Sequence, residues 1–383
     1  MATGQVRLGS DLERKKWMRE GLVQSASKSF WSPLTGTTPD SVVYQAKNET
    51  AGDGHTVVFD FSGNLSGRAR KGKETAAGTG EQKKKFSSKI TVERYRLVAD
   101  NGDVFDGANI GDLTINQHTD SRSKLGDLFV RFKDQAIFDA AQGLLTTNQN
   151  IVQTPTHVID LGTTFAWNTL VDIEKTLKTS TGFTTGGVRR PLVPYQLANG
   201  EPVWLYVIDA AMASILRKDT TGYQNVMKDA DVRGGQNSLI KGVIGKIGSL
   251  LIVEAPNHFG YNQASGKGFG LNDSEIEISG LRQYDGADPA TALWTGQEGF
   301  SYSSSVLHSR GLILGAGALQ LAFGKQPDYK FQESQDFGIT AESAVEFWME
   351  VQKTILTAET ADYKAAKIAG IDYGVVATDL EVQ

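Results

Sequence analysis

The chain has 383 residues, with 39 Lys plus Arg against 44 Asp plus Glu, 42 Gly, 9 Pro and no Cys. At 39% hydrophobic and 22% charged it can bury one or more cores, and its length suits two or three domains of roughly 150 residues each. Without Cys there are no disulfide frameworks, thiol nucleophiles or cysteine-held metal sites. The net charge of −5 conceals an asymmetry: residues 1–96 carry 17 basic and 10 acidic side chains, or +7, so the rest carries −12. Met1 to Glu20 is too charged for a signal peptide. The most apolar window, Gly311 to Gly324, is 14 residues long and contains Gln320, too short to span a membrane. A soluble protein made in the cytoplasm is expected.

Ser10 and Glu13 form a capping box ahead of Leu12, Trp17, Met18 and Leu22, which predicts a short N-terminal helix. From Ser32 to Gly54 the composition turns to Pro, Thr, Gly and Asp around one apolar patch, Val42 to Tyr44, and reads as an extended arm that needs a surface to lie on. His55 to Phe61 and Lys85 to Val98 alternate in polarity and are rich in β-formers, so both are expected as strands. Between them Ser62 to Lys84 is polar and long for a hairpin loop. Its positive charge concentrates in Arg68, Arg70, Lys71, Lys73, Lys83, Lys84 and, at the end of the run, Lys85, opposed only by Glu74 and Glu81. Two strands alone are marginal in water, so such an arm implies a partner surface.

Ser121 to Gln142 has Leu125, Leu128, Phe129, Phe132, Ala136, Ile137 and Ala140 at helical spacing, with Asp120 placed to cap its start and Gly143 its end. Further on, a helix is expected around Trp167 to Leu177, a buried strand at Val203 to Ile208, a helix at Asp209 to Arg217 and a strand at Leu250 to Val253. Tyr261 to Asp273 and Gln283 to Ala290 read as loops. The tail is ambiguous: Val345, Phe347, Met349 and Val351 fit a strand, whereas Val345, Trp348, Met349, Ile355 and Leu356 fit a helix. Tyr373 to Asp379 reads as a closing strand.

Motifs of chemistry fail one by one. Gly67, Gly72 and Lys73 have phosphate-loop spacing, but Glu74 stands where a hydroxyl should hold magnesium, and the segment opens no amphipathic helix. Gly315 and Gly317 form a G-x-G whose third position is Gln320, which suits a close-packed Gly/Ala segment better than a dinucleotide site. The nearest two of the five histidines are 39 residues apart, so no metal-ligand cluster is visible, and Asp100, Asp103 and Asp106 lack the ligand spacing of a calcium loop. Gly63 to Gly67 is not a nucleophile elbow. No enzyme, cofactor or metal is expected. Nucleic-acid binding by residues 68–85 is the alternative reading, and it lacks any aromatic between Leu65 and Lys85 on which a base could stack.

The order of parts resembles the major capsid proteins of tailed bacteriophages. Val58-Phe59-Asp60-Phe61 leading to Asn64-Leu65-Ser66-Gly67-Arg68 resembles the strand entering that family's E-loop, and Ser121 to Ala141 resembles the spine helix of a short-tailed branch. His308 to Ala316 and Asp372 to Val376 resemble its late motifs. The resemblance implies an α+β fold, the tailed-phage major capsid fold, with N-arm, E-loop hairpin, long spine helix, P domain and an α/β-type A domain. Its divisions would be 1–54 (N-terminal arm with a short helix), 55–99 (E-loop with basic tip 62–84), 100–155 (P domain with the spine helix at about 121–142), 156–330 (A domain) and 331–383 (P-domain return and C-terminal strand). It implies a structural subunit of an icosahedral head around double-stranded DNA, assembled as hexamers and pentamers in the host cytoplasm. The implied partners are other copies of itself, a separate scaffolding protein, a portal protein, optionally a decoration protein, and nonspecific contact with packaged DNA, with no membrane. Contacts between subunits are expected at Arg68, Arg70, Lys71, Lys73, Lys83, Lys84 and Lys85 of the E-loop and at Trp17, Met18, Leu22, Phe30 and Trp31 of the N-arm. Some relatives crosslink an E-loop Lys to a P-domain Asn, but this chain has no Asn after Asn272, so no such link is expected.

Overall fold

The structure is a computed structural model that describes residues 29–46, 56–62, 65, 67–81, 83, 85–103, 117–143, 155–179, 184–185, 188–189, 192–197, 200–219, 222, 243–255, 283–285, 307–335, 340–358, 372 and 374–382. The helix expected after Ser10, with Trp17, Met18 and Leu22, lies outside the described residues, as does the loop expected at Tyr261 to Asp273.

The first described element is a 3-10 turn, Ser32–Leu34, followed by strands β1 (Thr35–Gly36), β2 (Val43–Gln45), β3 (Thr56–Ser62), β4 (Lys85–Thr91) and β5 (Glu93–Asp103). Helix α1 (Gln117–Gln142) comes next, then β6 (His157–Gly162), helix α2 (Trp167–Thr179), and the short strands β7 (Thr184–Thr185), β8 (Val188–Arg189) and β9 (Tyr195–Gln196). β10 (Pro202–Ile208), helix α3 (Ala210–Lys218), β11 (Val243–Ile247), β12 (Leu250–Glu254) and β13 (Gln283–Asp285) follow. The last strands are β14 (Leu307–Leu314), β15 (Leu319–Gln335), β16 (Thr340–Lys353), β17 (Thr357–Ala358) and β18 (Val375–Val382).

These strands make three main sheets, alongside a short β7–β8 hairpin. One has the order β1-β2-β15-β16-β5; a second follows the path β11-β12-β10-β14-β18-β6 with β9 and β13 at its sides; the third is β17-β4-β3. The second sheet is covered on both faces, which is why β10 reads as an unbroken apolar run. Val203, Leu205 and Val207 turn to the core shared with α1, while Trp204, Tyr206 and Ile208 turn to the core under α2 and α3. Burying side chains of this size contributes about 1.5–3 kcal/mol each.

The ambiguous tail resolves as strand. Val345, Phe347, Met349 and Val351 of β16 alternate into the α1 core, and Trp348 faces the other way, against the hairpin core of Val57, Phe59, Ile90 and Val92. Other expectations shift. Lys85 to Val98 is two strands, because the chain breaks at Val92, which is buried beneath the hairpin, and passes from the third sheet into the first. Helix α1 begins at Gln117, so Asp120 lies inside it and does not cap it; at about 1.5 Å per residue its 26 residues reach about 39 Å. Gly143 does end it, at φ +79°, its N–H donating to Asp139 O at 2.9 Å. Gln283 to Asp285, expected in a loop, pairs antiparallel with β14. The divisions expected at residues 99/100 and 330/331 fall inside β5 and β15. The glycine-rich turn between β14 and β15 is close-packed as expected: a Cβ on Gly315 would lie 2.3 Å from Val193 O.

Candidate assembly surfaces and the joint behind them

The basic loop rises from a rigid base. β3 and β4 pair in register from Thr56↔Thr91 to Ser62↔Lys85, β17 adds to β4, and Tyr44, Val92, Ala322 and Trp348 fill the space beneath. The loop itself has turns and no regular element among its described residues, with Gly72 and Gly78 at positive φ where side chains would be strained. Arg68, Arg70, Lys71, Lys73, Lys83 and Lys85 are all exposed, and Lys84 lies outside the described residues. Arg68 and Arg70 share Glu74, at 3.1 and 3.9 Å, whereas Lys71, Lys73, Lys83 and Lys85 have no ion pair with any other described residue. The base holds these cations out in solvent and leaves most of their charge uncompensated. The sequence predicted this patch correctly as a loop but not its firm footing, since Ala322 and Trp348 are far away along the chain.

The described part of the arm, residues 29–46, is packed on its own subunit. Phe30 and Trp31, expected as contacts between subunits, are buried in the core: Trp31 is 0% exposed and its ring centroid lies 4.8 Å from that of Phe138 on α1. Pro33 helps start the 3-10 turn that brings Leu34 inward, and β2 then joins β15 in parallel, Val43 opposite Leu319. Asp134 of α1 accepts hydrogen bonds from Ser29 Oγ and from Phe30 N, the latter at 2.6 Å. Burial pushes its carboxyl above the ordinary range, partly offset by those donors and by Lys133.

Behind the surfaces lies a buried ionic joint at the C-terminal end of α1. Arg310 of β14 and Asp379 of β18 are register partners, and the guanidinium grips the carboxylate with two bonds of 2.6 Å. Its third nitrogen donates to Gln142 O at 3.1 Å, and Lys353 of β16 donates to Ala140 O at 3.2 Å. Two cations thereby satisfy carbonyls that a helix end leaves without partners, where the macrodipole favours positive charge. Burial pulls the Lys353 ammonium down to about 8, with Asp372 opposing that and Arg310 adding to it. Asp372 in turn accepts from Thr156 N at 3.0 and 2.9 Å, just before β6. The joint thus fastens the first sheet, the second sheet and α1 to one another. Sequence reasoning assigned it no role; its one available signal was an arginine in β14 directly before the apolar run that ends the strand.

Two glutamates on the first sheet are held differently. Glu346 accepts from Lys330 at 2.6 Å and pairs with Arg94 at 2.9 Å, which holds its carboxyl down to about 2. Glu350 is pushed up to about 7, chiefly by burial, despite a hydrogen bond from Tyr95, with Glu93 adding repulsion. Among the described residues no group of three or more His, Asp or Glu gathers as a metal site, and no helix is long and apolar enough to cross a membrane.

A long helix laid across the antiparallel strands β15, β16 and β5 of one sheet, a basic hairpin beside it, a second mixed sheet covered on both faces and a returning C-terminal strand together define the tailed-phage major capsid fold. The chain is similar to the capsid of Ralstonia phage GP4, with a TM-score of 0.70 and 18% identity over 99% of this chain and 98% of that one. It is also similar to the head structure of Helicobacter pylori bacteriophage KHP40 (TM-score 0.67, 15% identity, 94% and 93% covered) and to the Cyanophage Pam1 capsid (0.60, 13%, 100% and 99%). No curated protein matches it in sequence. The family model described as phage capsid protein matches residues 5–382, and the chain belongs to that family. It is a structural capsid subunit of the virion.

Proposed function

We propose that this subunit assembles into the hexamers and pentamers of an icosahedral head enclosing double-stranded DNA, acting by contact and not by catalysis. The observation that carries this reading is the basic hairpin, whose exposed Lys71, Lys73 and Lys83 have no ion pair with another described residue while the chain beyond residue 96 carries −12. Such a surface is complementary to the acidic body of another copy. Ion pairs at a solvated rim contribute little each, so they set the register of docking more than its strength. The elements of the arm and hairpin gain their remaining stability when neighbours cover them.

Around this core reading stand the further partners. A separate scaffolding protein guides assembly in the host cytoplasm, a portal protein occupies one vertex, a decoration protein is optional, and DNA contact is nonspecific. The division into arm, E-loop, P domain and A domain is part of the same proposal and rests on the resemblance. With no Asn after Asn272, the shell is held without a Lys–Asn crosslink, and boiled particles run as a monomer near 41.4 kDa on a denaturing gel. Electron microscopy of purified protein tests the whole: closed shells or capsomer rings are expected. Reversal of Lys83, Lys84 and Lys85 to Glu should abolish or misdirect them, and shells indistinguishable from wild type would sink the proposed register contact.

A further inference from the structure

Aspartate is a poor choice in the middle of a packed helix, yet α1 places Asp134 there with only 3% of its surface exposed. Nothing in the helix explains it. Its two oxygens go to the arm, one to Ser29 Oγ and one to Phe30 N. One turn further along α1, Phe138 stacks on Phe30 with ring centroids 5.5 Å apart and meets Trp31 edge-on. At its other end the same stretch of arm is fixed to β15 through β2. Residues 29–45 are therefore a strap held at two points, and Asp134 holds its Ser29 end.

We propose that Asp134 is a positioning residue for shell assembly: as a hydrogen-bond acceptor it fixes Ser29 and Phe30 of the N-terminal arm on α1, and closed shells require the arm so anchored. The proposal rests on the assembly reading above. The arm needs the acceptor and not the charge, because both donors are neutral groups, and burial already disfavours the carboxylate. Asparagine keeps an acceptor for the Phe30 amide and can donate to Ser29 Oγ, whereas alanine leaves that amide unpaired in the core.

The experiment compares full-length wild type, Asp134→Asn and Asp134→Ala under conditions in which wild type forms shells, following shell yield, thermal melting and tryptic cleavage after Lys28. Asp134→Ala is expected to raise cleavage and lower closed-shell yield by about tenfold or more, the equivalent of leaving one buried amide donor unpaired, while Asp134→Asn stays near wild type. A merely structural role would instead lower melting and yield together in both variants, and that result overturns the proposal. Normal shells from Asp134→Ala overturn it alone; wild type that never forms shells overturns the assembly reading and the proposal with it. If Asp134→Ala does not fold, Ser29→Ala removes one donor from outside the helix. Faster cleavage after Lys28 at unchanged melting then supports the proposal, and unchanged cleavage overturns it.

Discussion

Arg310 and Lys83 carry the same charge in opposite surroundings. Arg310 is fully buried and committed to Asp379 and Gln142 O, while Lys83 stands exposed at the end of a loop with no described ion-pair partner. A charge taken out of water must be paired within the subunit, because leaving it unpaired costs several kcal/mol, so the joint serves the fold. A charge left in water costs nothing to keep and stays available to a second molecule. The difference separates a charge committed to the fold from one left available to a second molecule.

The comparison breaks most sharply at the joint. Arg310→Ala strands the Asp379 carboxylate and the Gln142 carbonyl in the core, and unfolding of the unassembled subunit in urea should show a loss of about 3–5 kcal/mol. Replacing both partners, Arg310→Met with Asp379→Leu, should recover most of that loss, since a packed apolar pair avoids the desolvation penalty. Arg310→Lys should not, because an ammonium cannot hold the two carboxylate oxygens and the helix carbonyl in one plane.

Lys353 gives a smaller effect with a defined sign. Its native pKa of about 8 lies below the ordinary 10.5, so between those values the unfolded chain binds more protons than the native one. Stability should therefore rise with pH from about 8 to 10.5, by up to about 3 kcal/mol, and Lys353→Met should flatten that rise. Glu350 runs the other way. Its pKa of about 7 lies above 4.5, so the native state holds the extra proton and stability should fall as pH rises between them. Solvent still reaches the group, so the change should be on the order of 1 kcal/mol, absent in Glu350→Gln. Denaturant midpoints across pH check both slopes.

What the sequence revealed follows the same division. Periodicity exposed α1, β10, β12 and the hairpin, because each side chain reports its own environment and the apolar ones recur at the spacing of the element. The basic patch was legible for the same reason, as a local run. The joint and the strap were not. Arg310 meets Asp379 and Gln142 at sequence separations of 69 and 168, and Asp134 meets Phe30 at 104, so no window along the chain contains both partners. Phe30 and Trp31 misled because an aromatic that covers a neighbour and one that covers its own helix look identical in sequence. The Val92 break was hidden by an alternation that continues through it while the strand changes sheets.

The smallest effect on the fold is expected where the effect on assembly is largest. Reversing Lys83, Lys84 and Lys85 to Glu removes no described intramolecular ion pair, and the side chains with described burial, Lys83 and Lys85, are exposed, so the melting midpoint of the free subunit should move by no more than the equivalent of about 0.5 kcal/mol. Association should respond far more, because three charges reverse sign, a net change of six units, at the proposed contact between copies. Arg68→Ala and Arg70→Ala form the internal control: both already share Glu74 in an exposed pair, so each gives up less free charge than a lysine and should weaken assembly less. Light scattering of assembly against ionic strength orders the variants. If the two arginine variants lose as much rate as the lysine reversals at every salt concentration, then loop shape and not uncompensated charge governs docking, and the contrast between joint and hairpin no longer holds.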